Sequence, residues 1–250
     1  MTAHTPRFNH KVALVTGGSR GIGEAIVRRL AAEGAAVAFT YSSSADKAQA
    51  LVGLIESKGG KALAIQADSA DVAAIDRAVA ATVEHFGALN ILVNNAGILL
   101  MGTVDTFSLE DFDRMFAVNV RATFAAAKAS SAVMHEGDRI ITVGSVVAQR
   151  SGFPGSSVYS MTKSAIAGMI RGLAIDFAPR GITVNNVQPG PTSTDMNPAD
   201  GPHADMIKSL IPLGRVGTAD DVAGMVAYLA SEEAAFVTGA SMTIDGGYLA

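Results

Sequence analysis

The sequence predicts a doubly wound α/β fold, a parallel sheet of about seven strands with helices on both faces. Three observations carry this reading. Short, near-continuous apolar runs alternate along the chain with longer segments of helical length. Strands buried on both faces read this way, because each crossover helix packs back onto the sheet. The first run leads directly into a glycine-rich turn from which a helix begins. No repeat, linker or low-complexity tract interrupts the alternation, so residues 1–250 are read as a single domain.

The elements follow in chain order. Lys11–Thr16 (KVALVT), Ala35–Tyr41 (AAVAFTY), Lys61–Ala67 (KALAIQA) and Leu89–Val93 (LNILV) are read as the first four strands. Each is short, apolar and bounded by glycine or polar residues. Ile22–Glu33, Ala45–Lys58 and Val72–Phe86 join them as helices. A long helix is expected around Asp111–Met134, with Ser108-Leu-Glu-Asp111 as its capped start, where a hydroxyl accepts an orphan backbone N–H. Arg139–Val143 (RIITV) is the fifth strand, Ser157–Phe177 a helix and Gly181–Val187 (GITVNNV) the sixth strand. Ala219–Ala230, opened by Thr218-Ala-Asp-Asp221, is the last helix, and Ser241–Ile244 (SMTI) the last strand.

Two segments fit the alternation less simply. Ile166–Phe177 is apolar on more than one face, which points to a subunit contact. Residues 191–212 are rich in Pro, Gly, Asp and Met, irregular at first and then helix-like. Beside a catalytic site such a segment is a candidate substrate lid; the alternative is an ordinary surface insertion.

Composition narrows the function. The formal net charge is −4, with no basic footprint for nucleic acid or an anionic membrane. The chain has no cysteine, which excludes disulfides, thiolate metal sites and cysteine nucleophiles. No cluster of His, Asp and Glu has metal-ligand spacing, so no metal is expected. The N-terminal MTAHTPRFNH lacks a signal-peptide core and no apolar run reaches spanning length, so a soluble cytoplasmic protein is expected.

In a doubly wound sheet, ligands bind beyond the carboxyl ends of the strands. Gly17-Gly-Ser19-Arg20-Gly21-Ile22-Gly23 occupies that place after the first strand. Glycines there permit positive φ and let a diphosphate approach the backbone, while the helix start supplies free N–H groups. The second strand ends in Tyr41-Ser42-Ser43, with hydroxyls where an NAD site places an acid for the ribose 2′-hydroxyl. A 2′-phosphate is not repelled there, and Arg20 is placed to pair with it. NADP is therefore preferred, with NAD as the alternative if Arg20 is solvated and the serines cap the next helix.

On one helix, Tyr159 and Lys163 lie one turn apart on the same face. A phenol titrating near pH 10 is a poor acid–base group at neutral pH, and a nearby cation favours its phenolate. The expectation is thus a lysine-tuned phenol.

Thr16-Gly-x-x-x-Gly-x-Gly23, Asn94-Asn-Ala-Gly97, Asn119, Ser145 and Tyr159-x-x-x-Lys163 occur in this order along the chain. Together they resemble the short-chain dehydrogenase/reductase family, especially its members similar to 3-oxoacyl-carrier-protein reductases. The resemblance runs from Lys11 to the end, including Pro189-Gly190 and Gly239 to Gly247. It implies a Rossmann fold and hydride transfer between a nicotinamide and a carbonyl or alcohol. It also implies that Tyr159 is the proton donor, that Ser145 stabilises the carbonyl oxygen, and that Asn119 organises a proton path to Lys163. Asp68 and Ser69 are similar to the family's adenine contact, with a helix cap as the other reading of Asp68. Asn95, Ala96 and Gly97 are placed on the ribose side. Pro189, Gly190, Thr192 and Thr194 resemble the segment that holds the nicotinamide carboxamide. A homotetramer is expected, with a dimer as the alternative.

The substrate side is an apolar set: Leu99, Leu100, Met101, Val147, Phe153, Met206 and Ile207, with His203 the one histidine near it. It suits a small or medium carbonyl compound. The leading expectation is an NADP-dependent ketone or aldehyde reductase. The alternative is a nucleotide-binding sensor on the same fold with little turnover.

Overall fold

The computed structural model describes residues 6–194 and 204–250. Seven strands form its sheet: β1 (Val12–Val15), β2 (Ala36–Tyr41), β3 (Lys61–Gln66), β4 (Ile91–Asn94), β5 (Arg139–Val143), β6 (Thr183–Pro189) and β7 (Ser241–Ile244). Their order is β3-β2-β1-β4-β5-β6-β7, and every neighbouring pair is parallel. The helices are α1 (Gly21–Ala32), α2 (Ala45–Glu56), α3 (Val72–Phe86), α4 (Leu109–Phe116), α5 (Ala122–Ser131), α6 (Ser157–Phe177), α7 (Ala204–Ser209) and α8 (Ala219–Ala230).

Side chains alternate along each strand, so one sheet feeds two cores. Ala13, Val15, Val37 and Phe39 face α1, α2 and α8, meeting Ile26, Leu30, Leu51, Val222 and Val226. Leu14, Ala38, Leu92 and Ile140 face α3, α5 and α6, meeting Ile75, Val79, Ala126, Ile166 and Ile170. Burying a Leu, Ile or Phe this fully contributes about 1.5–3 kcal/mol each. The predicted helix caps are present: Ser108 accepts from the Asp111 N–H, and Thr218 and Asp221 form a reciprocal capping box.

Three departures from expectation have local causes. The long helix around Asp111–Met134 is broken into α4, a π-helical turn over Ala117–Arg121, and α5. The widened turn carries Asn119, whose amide is bonded to the backbone of Ile98; such turns recur at functional sites. The fourth strand starts at Ile91 rather than Leu89. There the Val12 N–H goes to the Asn90 side chain at 3.0 Å rather than to a backbone carbonyl, and that side chain donates to Asp138 at 2.9 Å, while the Asn90 backbone itself bonds to Val12 and Arg139. The sixth strand starts at Thr183, because Gly181, at φ 68°, closes the turn before it.

The apolar helix segment Ile166–Phe177 is covered mostly by the chain itself: Ile166, Ile170, Leu173, Ala174 and Phe177 are buried. Ile175 remains 75% exposed, as does half of Phe124 on α5. The expected short helix in 191–212 is α7, while residues 195–203 of the candidate lid, including His203, lie outside the described residues. Among the described residues no helix is long and apolar enough to cross a membrane.

The topology fixes where a ligand can sit. From β1 the chain builds outward to β2 and β3 on one side, then returns to place β4 on the other. Connections leaving β1 and β4 diverge, and a crevice opens at their carboxyl ends.

Candidate active site

One wall of the crevice is the glycine turn. Gly17 and Gly21 have φ of 65° and 56°, in the left-handed region that favours glycine. A Cβ on Gly23 would fall 2.2 Å from the Gly17 carbonyl oxygen and 2.5 Å from Asn95 Nδ2, so the turn closes only with a bare backbone there. Thr40 pins it to β2, accepting from the Gly17 N–H through Oγ1 at 3.0 Å and from the Gly18 N–H through its carbonyl at 2.8 Å. Thr16 Oγ1 accepts from the N–H groups of Asn95 and Ala96, each at 3.0 Å. Asn95 Nδ2 in turn donates to the Thr16 and Gly17 carbonyls. The glycine turn and the loop after β4 are therefore tied into one unit.

What this unit offers is a set of donors. The N–H groups of Ser19, Arg20, Gly21 and Ile22 reach no acceptor among the described residues, and no side chain caps α1. Orphan N–H groups at the positive end of a helix suit a phosphate. Thr194 lies over the turn, 3.6 Å from where a Cβ on Gly21 would be. Tyr41 is half-buried at the end of β2, and Ser42 and Ser43 are exposed beyond it. Arg20 is exposed and forms no ion pair among the described residues. Asp46 stands in the first turn of α2, past this rim. A dinucleotide fits the cradle, and a 2′-phosphate fits its rim.

The remaining cofactor-side residues are more mixed. Asp68 is exposed and accepts from the Ala70 N–H at 2.9 Å, so here it caps its own turn, with Ser69 beside it. Gly190 donates to the Ile244 carbonyl at 2.8 Å, and a Cβ there would lie 2.6 Å from that of Asp245. Pro189 ends β6, and Thr192 Oγ1 donates to the Gly190 carbonyl at 3.0 Å.

The other wall carries the candidate acid–base groups. Tyr159 and Lys163 sit one turn apart on α6, with Nζ 5.7 Å from the phenol ring centroid. Lys163 is 5% exposed, and its ammonium donates to the carbonyl of Val143, the last residue of β5, at 3.0 Å. An ammonium has three donors, so this one bond leaves it able to take further acceptors such as ribose hydroxyls. Ser145 follows β5 in extended conformation and accepts from the Val147 N–H at 3.3 Å. Asn119, 1% exposed, accepts from the Ile98 N–H at 2.8 Å and donates to the Ile98 carbonyl at 2.9 Å. A Cβ on Gly97 would lie 3.4 Å from Asn119 Oδ1 and 3.7 Å from Lys163 Nζ, so the two walls meet at that glycine.

The electrostatics correct one expectation. Burial pushes the Tyr159 phenol up to about 12, opposed only in part by hydrogen bonding with Ser145. The same burial pushes Lys163 down to about 8. The lysine does not bring the phenol towards neutral in the chain by itself, because desolvation penalises both charged forms. The arrangement instead keeps the phenol protonated at neutral pH, which suits a proton donor.

The sequence reading quoted Thr16 only as the start of the glycine motif and gave no role to Thr40, Thr162 or the Val143 carbonyl. A backbone acceptor leaves no trace in residue type, and the threonines look like ordinary strand and helix residues. Leu99, Met101, Phe153 and Met206 are exposed large apolar side chains, and Val147 is buried. Gly102 N–H donates to the Gly155 carbonyl at 3.1 Å, joining the loops that carry Met101 and Phe153. Among the described residues no group of His, Asp and Glu could hold a metal.

Free N–H donors at the switch point of a doubly wound sheet are a dinucleotide's place, and a protonated phenol across the crevice suits reduction of a carbonyl. The class these define is that of the nicotinamide-dependent oxidoreductases. Residues 17–249 match the family model described as enoyl-(acyl carrier protein) reductase. The chain is 49% identical over 241 residues to the cyclic-di-GMP-binding biofilm dispersal mediator protein of Escherichia coli, covering 96% of this chain and 98% of that one. It is 38% identical over 255 residues to a probable tetrahydroxynaphthalene reductase of Zymoseptoria tritici, covering 97% and 96%. A short-chain dehydrogenase from Burkholderia cenocepacia, solved in complex with NADP, superposes with a TM-score of 0.96 at 52% identity, covering 98% of this chain and 100% of that one. The chain belongs to the short-chain dehydrogenase/reductase family.

Proposed function

We propose that the protein is an NADPH-dependent carbonyl reductase whose proton donor is Tyr159. The observation that carries this is a half-buried phenol beside Ser145, one turn from a buried lysine that is tied to the Val143 carbonyl. When bound, the reduced nicotinamide supplies a hydride to the carbonyl carbon. The Ser145 hydroxyl donates to the carbonyl oxygen and favours the charge that grows there. Tyr159 passes its proton to that oxygen; an alkoxide is far more basic than a phenolate, so the transfer runs downhill even from a raised pKa. The Lys163 ammonium then offsets the negative charge left on the phenol, and Asn119 holds the Gly97–Ile98 backbone against it.

NADPH is preferred to NADH because Arg20 forms no ion pair among the described residues and the rim beside it, Tyr41 to Ser43, carries hydroxyls rather than an acid. The solved NADP complex at 52% identity supports this choice. Gly17 to Gly23 take the diphosphate, Tyr41, Ser42 and Ser43 the 2′-phosphate side, and Asp68 and Ser69 the adenine. Asn95, Ala96 and Gly97 line the ribose, and Pro189, Gly190, Thr192 and Thr194 the carboxamide. The substrate is an apolar ketone or aldehyde of small to medium size, met by Leu99, Leu100, Met101 and Phe153. Similarity to a hydroxynaphthalene reductase supports a flat aromatic ring as part of it. The chain works as one domain over 1–250, in the cytoplasm, as a homotetramer.

Similarity to a cyclic-di-GMP-binding protein favours a second reading, a nucleotide sensor with little turnover. Purified protein incubated with NADPH and a panel of aromatic and alicyclic ketones, diones and aldehydes separates the two. Oxidation of NADPH with a panel member supports the reductase; tight NADPH binding without turnover of any member supports the sensor.

A further inference from the structure

Thr162 lies between Tyr159 and Lys163 on α6 and is 0% exposed. Its hydroxyl donates to the Tyr159 carbonyl at 2.8 Å. A hydroxyl has one proton, so this bond leaves Oγ1 an acceptor, and Asn119 Nδ2 fills that role at 3.1 Å. The orientation of the Asn119 amide is set independently. Its Oδ1 takes the Ile98 N–H at 2.8 Å while Nδ2 serves the Ile98 carbonyl at 2.9 Å, and a flipped amide would oppose donor to donor at the first and acceptor to acceptor at the second. The backbone of Asn119 is tied as well, its carbonyl accepting from Thr123 Oγ1 at 3.0 Å. An unbroken chain of hydrogen bonds thus runs from Ile98, through Asn119 and Thr162, to Tyr159.

We propose that Thr162 is a positioning residue for the proton donor, acting through Asn119 to fix the Tyr159 turn of α6 relative to the Asn95–Ile98 loop. This rests on the reductase reading, in which that turn carries the acid and that loop lines the dinucleotide. The hydroxyl is needed twice, as donor within α6 and as acceptor across to the π-helical turn, so an apolar residue of the same shape preserves packing and breaks both bonds. Misplacing a reacting group by a fraction of an ångström acts on kcat rather than on binding.

The test compares Thr162→Val, which keeps the shape and loses the hydroxyl, with Thr162→Ser, which keeps the hydroxyl. The expected result is a kcat lowered about tenfold or more in the valine variant, with KM for NADPH and ketone within about twofold, and most of kcat retained in the serine variant. Unchanged kcat in Thr162→Val, an equal loss in Thr162→Ser, or a loss appearing as raised KM for NADPH would overturn the proposal. Should the valine variant not fold, Thr162→Ala is judged by the same criteria. Failure of both to fold while the serine variant folds makes the hydroxyl structural and also overturns it. Absence of turnover in the unsubstituted protein would count against the reductase reading alone. The inference is then read from the ζ-carbon NMR signal of Tyr159 in the NADPH complex, expected to move in Thr162→Val and to stay in Thr162→Ser. A signal that Thr162→Val leaves in place overturns it.

Discussion

The ammonium of Lys163 is bonded to the carbonyl of Val143 at 3.0 Å, tying a buried cation on α6 to the end of the fifth strand. Among the described residues no acid partners it: the shift of Lys163 down to about 8 comes from burial. A buried cation held by a neutral carbonyl destabilises the fold, and such costs are typical of groups kept for chemistry.

Replacing Lys163 by methionine should therefore stabilise the cofactor-free protein at neutral pH. The drop from 10.5 to about 8 corresponds to roughly 3 kcal/mol as an upper bound. Between these values the unfolded chain binds the proton that the folded one has lost, so stability of the unsubstituted protein rises with pH across that window. The gain from Lys163→Met is fully present below about pH 8 and gone above about pH 10.5. Denaturant titrations at neutral and alkaline pH check this, alongside a loss of reductase activity.

The same ionisation should appear in kinetics. The ratio kcat/KM for NADPH reports groups of the free protein. It is expected to be level through neutral pH and to decline as Lys163 loses its charge around pH 8. A profile level to about pH 9.5 would remove the role given to the lysine charge.

Arg20→Ala should weaken NADPH binding about tenfold or more and NADH by less than about twofold, as loss of a charge-assisted contact to a 2′-phosphate requires. Titration of each cofactor by fluorescence distinguishes this from an equal loss in both.

The carboxyl-terminal tail is expected to influence substrate choice. Tyr248 packs on the loop after Ser145: its hydroxyl lies 2.6 Å from where a Cβ on Gly152 would be, and the Arg150 guanidinium stands 5.5 Å above its ring. Gly152→Ala should push the tyrosine aside and change relative kcat/KM for a bulky against a small ketone by several-fold, with stability altered by about 1 kcal/mol or less. Equal effects on both ketones would separate the tail from the substrate.

Sheet and glycine turn were legible because their causes are local. Val12–Val15 must be apolar on both faces, and Gly17, Gly21 and Gly23 must lack side chains where φ is positive or backbone and amide approach within 3 Å. The π-helical turn at Ala117–Arg121 was not legible, since its residues suit an α-helix and the bonds that tie Asn119 to Ile98 and Thr162 come from elements far apart in sequence. The direction of the Tyr159 shift was hidden for a related reason. Spacing shows that a lysine is near, whereas burial, which prevails here, depends on elements far apart in sequence. Thr162 combines both difficulties, being an unremarkable helix residue until α6 meets the π-helical turn.

The most direct measurement is single-turnover reduction by Tyr159→Phe with NADPH already bound. Loss of the phenol proton should slow hydride transfer at least about a hundredfold while NADPH affinity stays within about twofold. A phenylalanine variant that reduces the ketone at the original rate would show that the proton comes from elsewhere.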